Sequence, residues 1–417
     1  MGIRMSNFSP LPKSLVEVKG ISILEHQIDF FSKRGVDRVL LLLGHGASEI
    51  KERTKYLSNK YGVHISEIEE STPLGTGGSL MNALDSLDEN FFVAHGDLII
   101  NTRIDKLEDM IENQNFDVAI MYQPTDHPED SDLIMINEKS ELKKFITKPH
   151  PNFMGRCLGN VGIYAFQKNT LKKLFSNYSD NQVILDLDRQ LLPDLIAMGV
   201  IIAAVRNLGF VKDCGTPERL KYVEKNFIHI ERTKFKKPAI FIDRDGTINR
   251  LAGFISSPDQ IILEDDAPFV ISEFNRLEFR VIVITNQPVI ARGEVSHEEL
   301  DEIHGTIERS LISFGARIDD FFYCPHHPDS GFENELKELK IVCDCRKPET
   351  GLIEAALKIY PTQKNSSWVI GDSWRDIELA RRVGIRSIHI TSEDNPFMAD
   401  FSAQSLTEAL NIVKSFL

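Results

Sequence analysis

The feature that most constrains this chain is an apolar run that ends in two acids. Ile240-Phe241-Ile242 follows Pro238 and breaks directly into Asp243-Arg244-Asp245-Gly246-Thr247. A short apolar run bounded by turn formers reads as a buried strand. Such a strand, ending in acids, belongs to an open α/β sheet, which binds ligands at its carboxyl edge. Two carboxylates one residue apart at that edge have a definite use. Asp243 could attack a phosphorus atom and carry an aspartyl-phosphate, and Asp245 could turn into the same site and protonate the leaving alcohol. Two anions facing a phosphate need a cation, and Mg²⁺ with oxygen ligands suits them. A plain turn of Asp and Gly at a strand end is the bland alternative.

Three later stretches weigh against that alternative. Val281-Ile282-Val283-Ile284 is a second apolar strand, ending in the Thr285 hydroxyl. Arg346-Lys347-Pro348 offers positive charge to a phosphate, and Trp368-Val369-Ile370-Gly371-Asp372-Ser373-Trp374-Arg375-Asp376 is a third strand ending in acids, suited to completing the metal site. The order Asp-x-Asp, Thr, Lys, Gly-Asp resembles the haloacid dehalogenase superfamily of phosphatases. The resemblance implies Asp243 as nucleophile and Asp245 as general acid/base. It implies Thr285 and Lys347 on the transferring phosphate, Asn286 against substrate, and Asp243, Asp245 and Asp372 around Mg²⁺.

Between those motifs lie Cys324-Pro325-His326-His327 and Cys343-Asp344-Cys345. Three thiols and an imidazole fit a closed tetrahedral Zn²⁺ site that folds a loop. Cys324, His326, Cys343 and Cys345 are the expected ligands, with His327 the competing imidazole. This loop followed by Arg346-Lys347 resembles the D-glycero-D-manno-heptose 1,7-bisphosphate phosphatases and the related histidinol-phosphate phosphatases. Arg346 would then reach a second phosphate or hydroxyls. The stretch Asn286-Gln287-Pro288-Val289 departs from that family's N-Q-S-G, because Pro288 has no N–H and Val289 resists a positive φ.

The first half alternates helical and strand patterns, as a doubly wound α/β domain does. Its Pro73-Leu74-Gly75-Thr76-Gly77-Gly78 stretch precedes a helix, where backbone N–H groups can face anions or the glycines can let a base approach closely. Phe91 to Asp97 is a strand ending in an acid. With Pro12-Lys13-Ser14-Leu15, Glu70 to Gly78, Gly96-Asp97, Phe145 to Pro149, Asn160 to Tyr164 and Asp213 to Glu218, the order resembles sugar-1-phosphate nucleotidyltransferases. The resemblance implies Asp97 and Asp213 as ligands of a Mg²⁺ between nucleotide and sugar phosphates. It places Arg4, Lys13, Glu70, Gly75, Thr76, Gly77, Lys148 and Asn160 against substrate. That family opens with a strand and a glycine loop, of which Gly2-Ile3-Arg4 matches only the end. The expectation is a late start codon or a decayed transferase, and weak nucleotide transfer by the chain as written.

The expected fold is therefore α/β with two doubly wound domains. These are an N-terminally truncated, Rossmann-like nucleotidyltransferase domain over 1–230 and a haloacid dehalogenase-like phosphatase domain with a zinc loop over 238–417, joined by a linker at 231–237. The net charge of −14 argues against a general nucleic-acid or anionic-membrane surface. No apolar run reaches membrane-span length, and five cysteines do not form a disulfide framework, so a cytoplasmic enzyme is expected. The two resemblances together imply a fusion of two successive steps of nucleotide-heptose synthesis, acting on a sugar bisphosphate and a nucleoside triphosphate, with GTP the donor that the resemblance favours. The competing readings are a phosphatase for another small substrate beside an inert first half, and a non-catalytic scaffold. Oligomeric state is not legible.

Overall fold

A computed structural model describes residues 11–178, 184–231, 235–251, 253–393 and 397–417. Arg4 and residues 232–234 of the expected linker lie outside the described residues. The chain divides into two compact units. One comprises Met1–Gln123, Glu129–His150 and Leu158–Lys234; the other comprises Pro124–Pro128, Pro151–Cys157 and Phe235–Leu417.

In the first unit the named strands are β1 (Arg38–Leu43), β2 (His64–Glu69), β3 (Asn90–Ala94), β4 (Leu98–Asn101), β5 (Val118–Pro124), β6 (Leu133–Ile136), β7 (Leu142–Ile146), β8 (Leu158–Gln167), β9 (Ile202–Arg206) and β10 (Phe210–Asp213). Six of them form one sheet in the order β9-β5-β8-β6-β7, with β3 also on β8. It is mixed: β9 and β5 run parallel, whereas β3, β6 and β7 join through antiparallel pairs. Val118 to Met121 are fully buried, as expected for a strand covered on both faces. Three further sheets have two strands each: β1 beside β2 in parallel, β4 antiparallel to β10, and a short antiparallel hairpin of Glu17–Val18 and Ile21–Ser22. The β4–β10 pairing sets Asp213 opposite Leu98, next to Asp97.

The second unit has the plainer architecture. Its strands are β11 (Ala239–Ile242), β12 (Arg280–Asn286), β13 (Asp320–Cys324), β14 (Trp368–Gly371), β15 (Arg386–Ile390) and β16 (Phe401–Ala403). They form a sheet of order β13-β12-β11-β14-β15-β16, parallel at every pairing. β11, the strand of the two acids, is central and fully buried. Its neighbours β12 and β14 carry Thr285 and Asp372 to the same edge.

Helices α1 (Ala267–Arg276), α2 (His297–Ile312), α3 (Gly351–Ile359), α4 (Trp374–Val383) and α5 (Leu406–Lys414) connect or follow these strands. Ser296 and Glu299 make a reciprocal capping box at the start of α2, and Ser373 and Asp376 make one at the start of α4. Gly384, in the left-handed region, stops α4. Residues 151–157 join this unit through Glu308 of α2, which accepts from Arg156 Nε at 2.9 Å and from the Cys157 N–H at 2.7 Å.

Candidate active site

The sheet edge of the second unit opens into a cavity of about 560 Å³, lined by Asp243, Asp245, Thr285, Asn286, Arg346, Lys347, Asp372 and Asp376. β11 delivers Asp243 to its floor. Gly246 follows in the left-handed region, and a Cβ there would sit 2.1 Å from Asp372 Oδ2, so the two acid strands can approach only with glycine at this place.

Lys347 is the centre of charge. It is buried, and its ammonium donates to Asp376 Oδ1 at 2.7 Å and to the Ile284 carbonyl at 2.9 Å. It lies 2.8 Å from Asp243 Oδ1. Asn286 holds the Lys347 backbone, accepting its N–H at 2.9 Å and donating to its carbonyl at 3.1 Å. Thr285 is buried beside them, and its hydroxyl accepts from Gln287 Nε2 at 2.8 Å.

Asp245 points elsewhere. Arg244, fully buried, forks onto it through Nε (3.0 Å) and NH2 (2.8 Å). Gln287 and Asn249 donate to it as well, at 2.9 Å and 3.1 Å. Burial opposes ionisation, but the Arg244 charge and these hydrogen bonds bring Asp245 below the usual carboxylate range. As found, Asp245 is a proton acceptor. To serve as the acid it must leave Arg244 for the cavity.

The neighbouring acids behave oppositely. Burial pushes Asp243 up to about 7 against the pull of Lys347, with Asp376 and Asp245 adding repulsion. Burial and the Asp243 charge push Asp372 up to about 6. Ligand oxygens of Asp243, Asp372 and Asp376 lie within 4.8 Å of one another. Desolvated, mutually repelling oxygen donors are what a divalent cation relieves, so the residues fit Mg²⁺. The side chain of Asp245 is outside this group, because Arg244 holds it. Asp376, absent from the expected set, is inside it.

The expected zinc ligands come together. Ligand atoms of Cys324, His326, Cys343 and Cys345 lie within 4.8 Å of one another. Cys345 Sγ is 3.2 Å from Cys324 Sγ, 3.3 Å from Cys343 Sγ and 3.2 Å from His326 Nδ1. Its thiol is pushed up by the Cys324 sulfur and then by burial. The donor set suits Zn²⁺. His327 stands apart, with Nδ1 3.3 Å from the Asp329 carbonyl, and lines the cavity instead. Val289 is not among the positive-φ residues. It is buried with Ile255, Ile290 and Leu300, so the loop after Thr285 turns without the strain that its sequence suggested.

In the first unit Lys13, Asp97 and Asp213 converge on Gly215. A Cβ at Gly215 would lie 3.0 Å from Asp213 Oδ1, 3.5 Å from Lys13 Nζ and 3.6 Å from Asp97 Oδ2. Lys13 Nζ is 3.3 Å from Asp97, and Arg219 donates to Asp213 at 2.6 Å. Each carboxylate thus already faces a cation, and the three-acid group of the second unit has no counterpart here among the described residues.

Lys148 donates to the Asp130 carbonyl at 2.6 Å, and Asn160 donates to the Tyr164 hydroxyl at 2.7 Å and to Asp188 at 3.1 Å. Glu70 accepts the Leu74 N–H at 3.1 Å and a hydrogen bond from Ser79. The glycine stretch corrects an expectation. Gly75, Thr76 and Gly77 form the first turn of the helix Gly75–Ala83, and the Gly77 and Gly78 N–H groups donate to the Leu185 carbonyl rather than facing an open anion site. Gly75 takes φ +74°, and its Cβ would meet that carbonyl at 2.4 Å. Thr76 Oγ1 accepts from the Leu187 N–H at 2.8 Å.

The reading from sequence gave no individual role to Arg244, Gln287, Asp376 or Arg219. Asp376 had a signal, since it lies four residues after Asp372 across a helix start. Gln287 stands two residues past Thr285. Arg219 had none, because its partners Asp213 and Asp130 meet only in the fold.

Comparison with known proteins agrees with this division. The nucleotidyl transferase family model matches residues 8–227, and a HAD-hydrolase-like model matches residues 344–407. The D-glycero-beta-D-manno-heptose-1,7-bisphosphate 7-phosphatase of Rhodopseudomonas palustris is 35% identical over 159 residues, which cover 38% of this chain and 86% of that protein. The protein of that name from Escherichia coli K12 is 30% identical over 183 residues, covering 42% of this chain and 94% of its own. The crystal structure of HddC from Yersinia pseudotuberculosis aligns at 21% identity with a TM-score of 0.44, over 52% of this chain and 91% of that one. No described helix is long and apolar enough to cross a membrane.

Proposed function

Because the chain belongs to the nucleotidyl transferase family over its first half and to the D-glycero-beta-D-manno-heptose-1,7-bisphosphate 7-phosphatases over its second, we propose that it is a bifunctional enzyme of nucleotide-heptose synthesis. The second unit removes the C7 phosphate of heptose 1,7-bisphosphate. The first joins the heptose 1-phosphate to a nucleoside triphosphate, with GTP the favoured donor. Pairing these two families in one chain favours a heptose over histidinol phosphate, since only the heptose product feeds a nucleotidyl transfer.

The observation that carries the phosphatase assignment is Lys347, held at 2.8 Å from Asp243 beside Thr285 on the cavity floor. Asp243 attacks the phosphorus. Lys347 and the Thr285 hydroxyl hold the transferring oxygens, and the ammonium offsets charge that grows as the new bond forms. Asp245, rotated from Arg244 and protonated, gives its proton to the leaving C7 oxygen. The same carboxylate then takes a proton from the water that releases the aspartyl-phosphate. Asp243 and Asp372 would hold Mg²⁺, with the Asp376 carboxylate close by; the bound ion neutralises phosphate charge. Cys324, His326, Cys343 and Cys345 would hold Zn²⁺ as a fastening of the loop that delivers Arg346 and Lys347. In the first unit, Lys13 and the acids Asp97 and Asp213 would face the reacting phosphates, with Lys148 and Asn160 toward the sugar.

Mass spectrometry of products from heptose 1,7-bisphosphate, GTP, Mg²⁺ and the full chain tests this. Heptose 1-phosphate alone supports the phosphatase and leaves the transferase silent. GDP-heptose establishes both activities. Unchanged bisphosphate of both anomers, with a folded zinc-loaded chain, overturns the heptose assignment.

A further inference from the structure

We propose that Arg375 is a specificity-determining residue of the phosphatase cavity, acting with Arg346 to hold the second, non-transferred phosphate of a sugar bisphosphate. The proposal rests on the phosphatase reading above. Both arginines line the same cavity of about 560 Å³ as Asp243 and Lys347. They arrive from different elements, Arg346 from the loop after Cys345 and Arg375 from the first turn of α4. Neither has a carboxylate within salt-bridge reach among the described residues. Arg346 NH1 donates to the His326 carbonyl at 3.2 Å, and Arg375 NH1 to Ser373 Oγ at 3.4 Å. Arg375 also lies 5.5 Å from the Trp374 ring.

The reacting end of the cavity does not need these cations. There Lys347 already offsets Asp243 and Asp376. The cavity is therefore polarised, with acids and a buried lysine at its floor and two unneutralised arginines on its walls. A substrate with one phosphate would satisfy the floor and leave the arginines without an anion. A substrate with a second phosphate would satisfy both. Guanidinium groups bind phosphate through paired N–H donors, and two of them from separate elements would fix the distance between the phosphates.

The test compares kcat/KM for heptose 1,7-bisphosphate and heptose 7-phosphate, in the full chain with Mg²⁺. R375A should lower the ratio of the two by about 10- to 100-fold, the size of one charge-assisted contact, chiefly through KM. R375K should recover part of it. A ratio within about twofold of the unaltered chain, or an equal loss for both substrates, overturns the proposal. Failure of the phosphatase reading looks different. The unaltered chain would then release no phosphate from either substrate, whereas release from both without preference for the bisphosphate overturns the arginine proposal alone.

Discussion

Replacing Asp376 with alanine removes one of the three groups that hold Lys347. The ammonium, 3% exposed on its side chain, keeps Asp243 at 2.8 Å and the Ile284 carbonyl at 2.9 Å but loses the carboxylate at 2.7 Å. Breaking a buried ion pair costs about 3–5 kcal/mol when a charge is left unpaired. Here Asp243 still compensates Lys347, which points to about 3 kcal/mol. The lost bond from the Ser373 N–H to Asp376 at 3.2 Å adds about 0.5–1 kcal/mol at the start of α4. Relief of repulsion between Asp376 and its acid neighbours returns a similar amount, so the net stays near 3 kcal/mol.

The two tryptophans, Trp368 and Trp374, both lie in the second unit, so their fluorescence follows that unit alone. With a urea slope of about 2 kcal/mol per molar, the midpoint should fall by about 1.5 M. A shift below about 0.5 M would refute the view that Asp376 anchors a buried lysine. Phosphatase activity should fall with it, because Lys347 would lose the partner that orients it.

Four further outcomes are expected. Without divalent metal the second unit should lose stability as pH rises from about 4 to 7. Asp243 and Asp372 have raised folded-state affinities for protons, so above the unfolded value the folded state must either stay protonated or bear the charge. Melting temperatures by tryptophan fluorescence in chelator should show this slope, and Asp243→Asn should flatten it. Gly246→Ala forces a Cβ toward Asp372 at φ +79°, so the Mg²⁺ concentration for half-maximal rate should rise by about tenfold or more in an activity titration. Cys345→Ser should reduce bound zinc from one ion per chain to well below half, measured by elemental analysis, and lower the melting temperature by several degrees. Arg244→Lys keeps a charge but loses the fork on Asp245, and kcat should fall about 10- to 100-fold while substrate KM changes little.

Some of this was legible along the chain because its signals are local. Ile240 to Asp245 announces strand and acids together, since apolar side chains and an abrupt turn need only neighbours in sequence. The same is true of Thr285 after its strand and of the cysteine cluster, whose residue types and spacing suffice to suggest a metal. Other features depend on which segments meet. The glycine stretch at Gly75 to Gly78 looked open to anions, and it is the Leu185 carbonyl, more than a hundred residues later, that takes two of its N–H groups. Asp245 read as an acid beside a nucleophile, yet its neighbour Arg244 folds back on it once both are buried.

The sequence alone determined the fold class, the division into two families and the strand-end residues that line the cavity of the second unit, because strand periodicity and strand-end chemistry are written over a few consecutive positions. Only the tertiary structure decided how charge is distributed among them. Asp376 joins Lys347, and Arg346 and Arg375 face one cavity at the edge of the parallel sheet, while in the other unit Arg219 bridges Asp213 and Asp130, since an ion's partners are set by distance and burial, which exist only in the folded chain.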